Sequence, residues 1–158
     1  EGHYNIVIGA GSSGPDTRWG EKNFISLINR LNEVGNFFFY IQCGPEQNEI
    51  SRNIIANVKK KNCIDLSKMD IREIIPILYL CDMYVGNDSF SHHVTSQCNK
   101  PSIVLLLNSP KSYSDYSINH HRIIPDNAKI EDIDHTSRHD ANSISMKKVF
   151  NKIIKLKN

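Results

Sequence analysis

Short apolar runs alternate along this chain with longer segments of helical period, and no other feature narrows the possible folds as far. Asn5 to Gly9, Phe37 to Gln42, Ile64 to Leu66, Met83 to Gly86 and Ser102 to Leu107 each read as a buried strand. Between them, apolar residues recur at helical spacing. Phe24, Ile25, Leu27, Ile28 and Leu31 mark a first helix, with Gly35 as the residue just past its end. Ile50, Ile54, Ile55 and Val58 mark a second, over about Glu46 to Lys60. Asp70 with Glu73 forms a capping box for a third, in which Pro76 should bend the helix or delay its start. Ser91 to Cys98 is a short fourth helix, and Ser102 to Leu107 is apolar throughout, as an interior strand is. Strands alternating with helices of this length give an α/β fold, a Rossmann-like doubly wound parallel sheet. The expected organisation is a single domain over 1–158, with its core in 4–125 and a C-terminal helix over 143–156. That helix should pack Val149, Phe150, Ile153 and Ile154 inward and leave its lysines in water. Pro110 to His121 reads as a polar surface loop, Arg122 to Pro125 as a small strand, and Glu131 to Asn142 as loop.

In an open parallel sheet, ligands bind at the carboxyl edge of the strands, where strand turns into helix. The segment Tyr84-Val85-Gly86-Asn87-Asp88-Ser89-Phe90-Ser91-His92-His93 is such a turn. Free N–H groups at the start of the following helix attract phosphate. Asp88 in the same turn repels phosphate but accepts hydrogen bonds from hydroxyls, so the pair fits a ligand carrying both, such as a nucleotide sugar. The first loop holds Gly9-Ala10-Gly11-Ser12-Ser13-Gly14, a literal G-x-G-x-x-G after a strand. It keeps open a nicotinamide-dependent oxidoreductase, with Glu46 as the ribose acid. In that motif, however, the helix begins within the glycines. Here Pro15 to Gly20 intervene, and a glycine loop over a phosphate-bearing ligand is the milder reading. Arg18 is either a solvated charge or a bidentate ligand for a diphosphate. Trp19 reads as a lid on the first helix.

Adjacent histidines on a helix project in different directions. His92-His93 are therefore expected to supply one useful imidazole and not a metal pair. His135 and His139 have ligand spacing but no helical pattern around them, and His120-His121 read as exposed, so no metal site is expected. Cys43, Cys63, Cys81 and Cys98 are scattered without a C-x-x-C pair and read as buried reduced thiols. A formal net charge of +2 is too small to argue for nucleic acid as a partner. No apolar run approaches the length of a bilayer span.

Four blocks in order resemble glycosyltransferase family nine, the ADP-heptose:lipopolysaccharide heptosyltransferase type, over about Ile6 to Pro125. Gly9 to Ser13 with Arg18-Trp19-Gly20 is similar to the family's G-A-S followed by K-R-W-P. Cys43-Gly44-Pro45-Glu46 is similar to G-G-P-x-E, and Asp65 to Asp70 to D-L-x-G-K-x-S. Val85 to Val94, with the later Pro101, is similar to G-N-D-[TS]-G-x-x-H-L-A. Thr17 stands where the family has lysine, and Phe90 where it has glycine. These two departures keep open a non-catalytic relative as an alternative.

The resemblance is to the family's C-terminal half, the nucleotide-sugar-binding side of a two-domain GT-B enzyme of bacterial surface-polysaccharide or lipopolysaccharide synthesis. By position it implies that Ser12 and Ser13 contact a diphosphate, with Arg18 nearby, that Glu46 holds the ribose, and that Met69 lies against the base. Asp88 would bind sugar hydroxyls, while Ser89 and the backbone near Phe90 meet the phosphates. His93, not His92, falls on the family's histidine. The implied reaction is inverting glycosyl transfer from a nucleoside diphosphate sugar, with no cofactor required. Its base, in the family's N-terminal acceptor-binding domain, would deprotonate a saccharide or lipid-linked acceptor. The implied location is cytoplasmic, at the inner face of the cytoplasmic membrane.

Overall fold

The computed structural model describes residues 2–158. Its strands are β1 (Tyr4–Gly9), β2 (Phe37–Gln42), β3 (Cys63–Asp65), β4 (Met83–Asn87), β5 (Ser102–Leu105) and β6 (His120–Ile123). Its α-helices are α1 (Glu21–Asn32), α2 (Asn48–Asn57), α3 (Ile71–Leu80), α4 (Phe90–Gln97) and α5 (Met146–Lys157). The strands form one sheet in the order β3-β2-β1-β4-β5-β6, and every pairing is parallel. This is the doubly wound Rossmann order, which reverses between β1 and β4.

The two-residue period of each strand divides the core cleanly between the two sheet faces. Ile6, Ile8, Phe39, Ile41, Met83, Val85, Ile103 and Leu105 pack on one side with the apolar stripes of α1, α2 and α5. Val7 and Tyr84 pack on the other with Ile74 and Leu78 of α3. Burial extends past residue 125 to Ile133, Ile144, Val149 and Ile153.

Several local expectations meet tertiary corrections. Asp70 and Glu73 do form a capping box, and α3 starts at Ile71 with Pro76 inside it. The cap and the buried face of α3 hold the helix start in place despite the missing donor. The second helix starts later than its apolar period implies, because Pro45–Gln47 form a separate 3-10 turn before α2. Gly35 does not adopt a left-handed cap; a Cβ there would lie 2.8 Å from the Phe37 ring, so packing explains the glycine. Gly20, just before α1, is the glycine with positive φ, at 90°. The last strand covers His120–Ile123 and not Arg122 to Pro125, so the supposed exposed histidine pair begins a strand. Trp19 packs edge-to-face on Phe24 of α1, ring centroids 5.0 Å apart, and is fully buried. Of the four free cysteines, Cys43 and Cys81 are buried while Cys63 and Cys98 are only partly so. Burial pushes the Cys43 and Cys81 thiols up to about 12.

At the switch point, β1 and β4 come unusually close. Gly9 pairs with Gly86, and a Cβ on Gly86 would sit 2.4 Å from the Gly9 carbonyl oxygen. We expect Gly86→Ala to cost about 3 kcal/mol, because backbone cannot yield as a side chain can. The thermal midpoint should fall by about 6–12 °C. Gly14→Ala, with nothing within 4 Å and an extended backbone, should change it little. Equal midpoints for the two variants would refute this account.

Candidate functional site

The loops leaving β1 and β4 border a cleft of about 490 Å³ at the carboxyl edge of the sheet. Both loops are pinned by Asn87, the last residue of β4, which is fully buried. Its Nδ2 donates to the Ala10 carbonyl at 2.8 Å, and its Oδ1 accepts from the Trp19 N–H at 2.8 Å. Trp19 Nε1 donates to the Ile144 carbonyl at 2.9 Å, tying the loop to the segment before α5. Tyr84, also fully buried, donates its hydroxyl to the Asn87 carbonyl at 2.7 Å and lies 3.1 Å from Ser89 Oγ.

The glycine loop has its own clamp, which the sequence reading missed. Gln47 donates from Nε2 to the Ser12 carbonyl at 2.7 Å and accepts from the Ser12 N–H at 3.2 Å. A Cβ at Gly11 would strike Gln47 Oε1 at 2.4 Å, so Gly11 is the residue that admits the clamp. Ser12 Oγ donates to the Gly14 carbonyl at 2.7 Å, and Thr17 Oγ1 donates to Ser12 Oγ at 2.8 Å. The Ser12 hydroxyl is thus engaged within its own loop, whereas Ser13 is exposed.

Six of the nine residues anticipated for the site line the cleft: Ser12, Ser13, Asp88, Ser89, Phe90 and His93. Gln42, Gln47 and Tyr113 line it as well, without any sequence signal beyond their place after a strand or in a loop. The other three lie outside that lining. Arg18 turns inward, its guanidinium donating to the Ser12 carbonyl at 3.3 Å. Glu46 is exposed in the 3-10 turn before α2. Met69 packs half-buried against the smaller core cluster.

α4 opens into the cleft with Ser89 at its N-cap, and the Ser89 side chain makes no capping hydrogen bond. The His92 N–H donates to the Ser89 carbonyl at 3.3 Å, while the N–H groups of Phe90 and Ser91 gain nothing from the Ser89 side chain, and the helix dipole adds positive potential there. Phe90 stands at the first helical position, 37% exposed. Asp88 precedes it, its side chain 13% exposed, and accepts from His92 Nε2 at 2.7 Å.

Burial raises the Asp88 carboxyl, but the hydrogen bonds from His92 and Ser109 outweigh it and hold it below the usual carboxylate range. Burial keeps His92 neutral although Asp88 pulls the other way. The pair is therefore a neutral imidazole donating to a carboxylate. The two adjacent histidines do not diverge as expected, since their ring centroids lie 3.7 Å apart. His120 joins them, buried, with its Nε2 3.3 Å from His92 Nδ1.

Two predictions follow from this geometry. Asn87→Asp keeps the shape but replaces the buried donor facing the Ala10 carbonyl with a carboxylate. It should cost about 3–5 kcal/mol, measured by urea unfolding; a loss under about 1 kcal/mol would overturn the role given to Asn87. The second concerns pH. His92, His93 and His120 are all depressed, chiefly by burial, below the ordinary 6.5. The unfolded chain then binds protons first, so stability is fully present above pH 6.5 and is lost as pH falls toward the folded values. Asp88, depressed below 3.8, adds a further loss only in stronger acid. Unfolding free energies measured from about pH 8 to about pH 5 should decline on the acid side. A rise over that range would contradict the burial of these rings.

With the geometry in place, comparison with known proteins is informative. The family model of glycosyltransferase family 9 (heptosyltransferase) matches residues 2–140. Lipopolysaccharide heptosyltransferase 1 of Campylobacter coli is 25% identical over 141 residues, covering 86% of this chain and 41% of that protein. The structure of E. coli ADP-heptose lps heptosyltransferase II superposes with a TM-score of 0.82 at 20% identity, over 98% of this chain and 46% of that one. E. coli heptosyltransferase WaaC with ADP gives 0.78 at 15% identity, over 98% and 44%. These two structural likenesses are of fold, and the chain spans less than half the length of each of these relatives. The switch-point cleft, the ordered blocks around it and a family match over most of the residues agree: the chain belongs to glycosyltransferase family 9, the heptosyltransferases.

Proposed function

We propose that this chain is the donor-binding half of an inverting glycosyltransferase of lipopolysaccharide or surface-polysaccharide synthesis, and that its cleft takes an ADP-sugar of the ADP-heptose type. The observation that carries the reading is the pairing, in one turn, of an uncapped helix start with an anionic Asp88. The first suits phosphate, and the second suits sugar hydroxyls but not phosphate. The WaaC structures, solved with ADP and with ADP-2-deoxy-2-fluoro heptose, support the choice of base and sugar class.

In this reading the first-turn N–H groups at Phe90, with Ser89, Ser12 and Ser13, hold the diphosphate. Asp88 orients the sugar, and His93 stands beside the diphosphate and sugar. Arg18 braces the glycine loop through the Ser12 carbonyl, close behind the phosphates. Glu46 and Met69 hold ribose and base at the outer end of the cleft. Transfer would proceed by attack of an acceptor hydroxyl on the sugar carbon, with inversion. Helix dipole and N–H groups would stabilise the departing nucleoside diphosphate, with no cofactor required. The base that removes the acceptor proton would come from an acceptor-binding N-terminal domain of the same protein, which also receives the saccharide or lipid-linked acceptor. No helix among the described residues is long and apolar enough to cross a membrane. We place the complete enzyme in the cytoplasm, peripheral on the inner face of the membrane.

The test is thermal unfolding with ADP, UDP, GDP, CMP and NADH. ADP at 100 times its dissociation constant should add about 2.7 kcal/mol. That corresponds to a rise of about 5–10 °C for a chain of this size. Asp88→Asn should weaken an ADP-sugar by about 10-fold more than it weakens ADP, since only the sugar meets this side chain. Absence of any shift with ADP at millimolar concentration would refute the donor site, and a shift with NADH alone would restore the oxidoreductase reading.

A further inference from the structure

We propose that His92, His93 and His120 form a three-nitrogen site for a transition-metal ion of the zinc type in the wall of the donor cleft. One ring nitrogen from each lies within 4.8 Å of the other two. His92 Nδ1 and His120 Nε2 are 3.3 Å apart. In a tetrahedral zinc site with Zn–N bonds of about 2.0–2.1 Å, two ligand nitrogens stand about 3.3–3.4 Å from each other. This pair is therefore already at ligand spacing.

His92 carries the outer support that metal-binding histidines carry. Its Nε2 donates to Asp88 at 2.7 Å, which fixes the tautomer and leaves the Nδ1 lone pair facing His120. His120 is 8% exposed; its Nε2 also lies 3.4 Å from the His92 carbonyl, and its Nδ1 is buried without a hydrogen-bond partner. His93 completes the set from the solvent side. Its side chain is 41% exposed and its ring lies against that of His92. Tyr116, whose hydroxyl contacts His93 Nδ1, Asp88 and the Arg122 guanidinium border the cluster. Three imidazoles select zinc, nickel or copper over magnesium or calcium, which prefer oxygen. A bound ion would join α4 to β6 and draw His93 toward the cluster, stiffening the wall of the cleft.

The experiment is calorimetric titration of the chelator-treated 158-residue chain with Zn²⁺, paired with the visible spectrum of the Co²⁺ form. We expect one ion per chain and the absorption of tetrahedral cobalt. His93→Ala removes a partly exposed ring and should leave the fold intact while weakening zinc by about 10-fold or more. His135→Ala, outside the cluster, should leave binding unchanged. His120→Asn should abolish the cobalt spectrum, and circular dichroism of each variant separates loss of the site from loss of the fold. Less than one equivalent of zinc, unchanged affinity in His93→Ala, or loss of binding in His135→Ala would overturn the proposal. Its failure would leave the ADP measurement untouched, because no histidine coordination enters that reading.

Discussion

The amide of Asn87 is the interaction on which the site depends. A side chain with one donor group and one acceptor, buried where β4 ends, satisfies the Ala10 carbonyl and the Trp19 N–H at once. Those two groups belong to the start and end of the same long loop, so a single residue sets that loop's path over the sheet edge. In a buried position, neither partner could be left unmet without a penalty of about 1–3 kcal/mol. The close Gly9–Gly86 approach below it makes the geometry possible, and Trp19, hydrogen-bonded to Ile144, locks the loop to the far end of the chain. A segment rich in glycine and serine is thereby held in one shape.

The same turn then divides two electrostatic tasks. The start of α4 presents positive potential without the help of its own cap residue. One residue earlier, Asp88 is kept anionic by a neutral imidazole, although burial acts against it. Opposite preferences side by side give the cleft a polarity along its length, positive toward the helix and negative toward the carboxylate. His92 is the hidden member of this arrangement. His93 lines the cleft, but the ring that hydrogen-bonds Asp88 is the buried one beside it.

Both departures from the family pattern find a physical place. Thr17 spends its hydroxyl on Ser12, bracing the glycine loop from within, where a lysine would have reached outward. Phe90 sits at the first helical position with its ring partly exposed on the cleft. The ring changes the wall of the cleft without using the backbone N–H groups of the first turn. Neither change removes the cleft, which both loops still border.

The alternation of apolar runs and helical periods determined the fold class, because burial on both faces of a parallel sheet demands such strands and helices to cover them. The turn around Asp88 was legible for the same reason: the carboxyl edge of a strand before a helix is where a sheet of this kind exposes unpaired donors. Local chemistry also gave the α3 cap, since Asp70 and Glu73 act within one turn. What only the tertiary structure decided is everything that joins residues far apart in the chain. Gln47 clamps Ser12 from 35 positions away, Asn87 reaches Ala10 across 77, and His120 meets His92 across 28. No period or motif encodes those meetings. They follow from the strand order, which brings β1 beside β4 and β6 beside β5, and so the sequence alone named much of the cleft's lining while the packing of the sheet chose its partners.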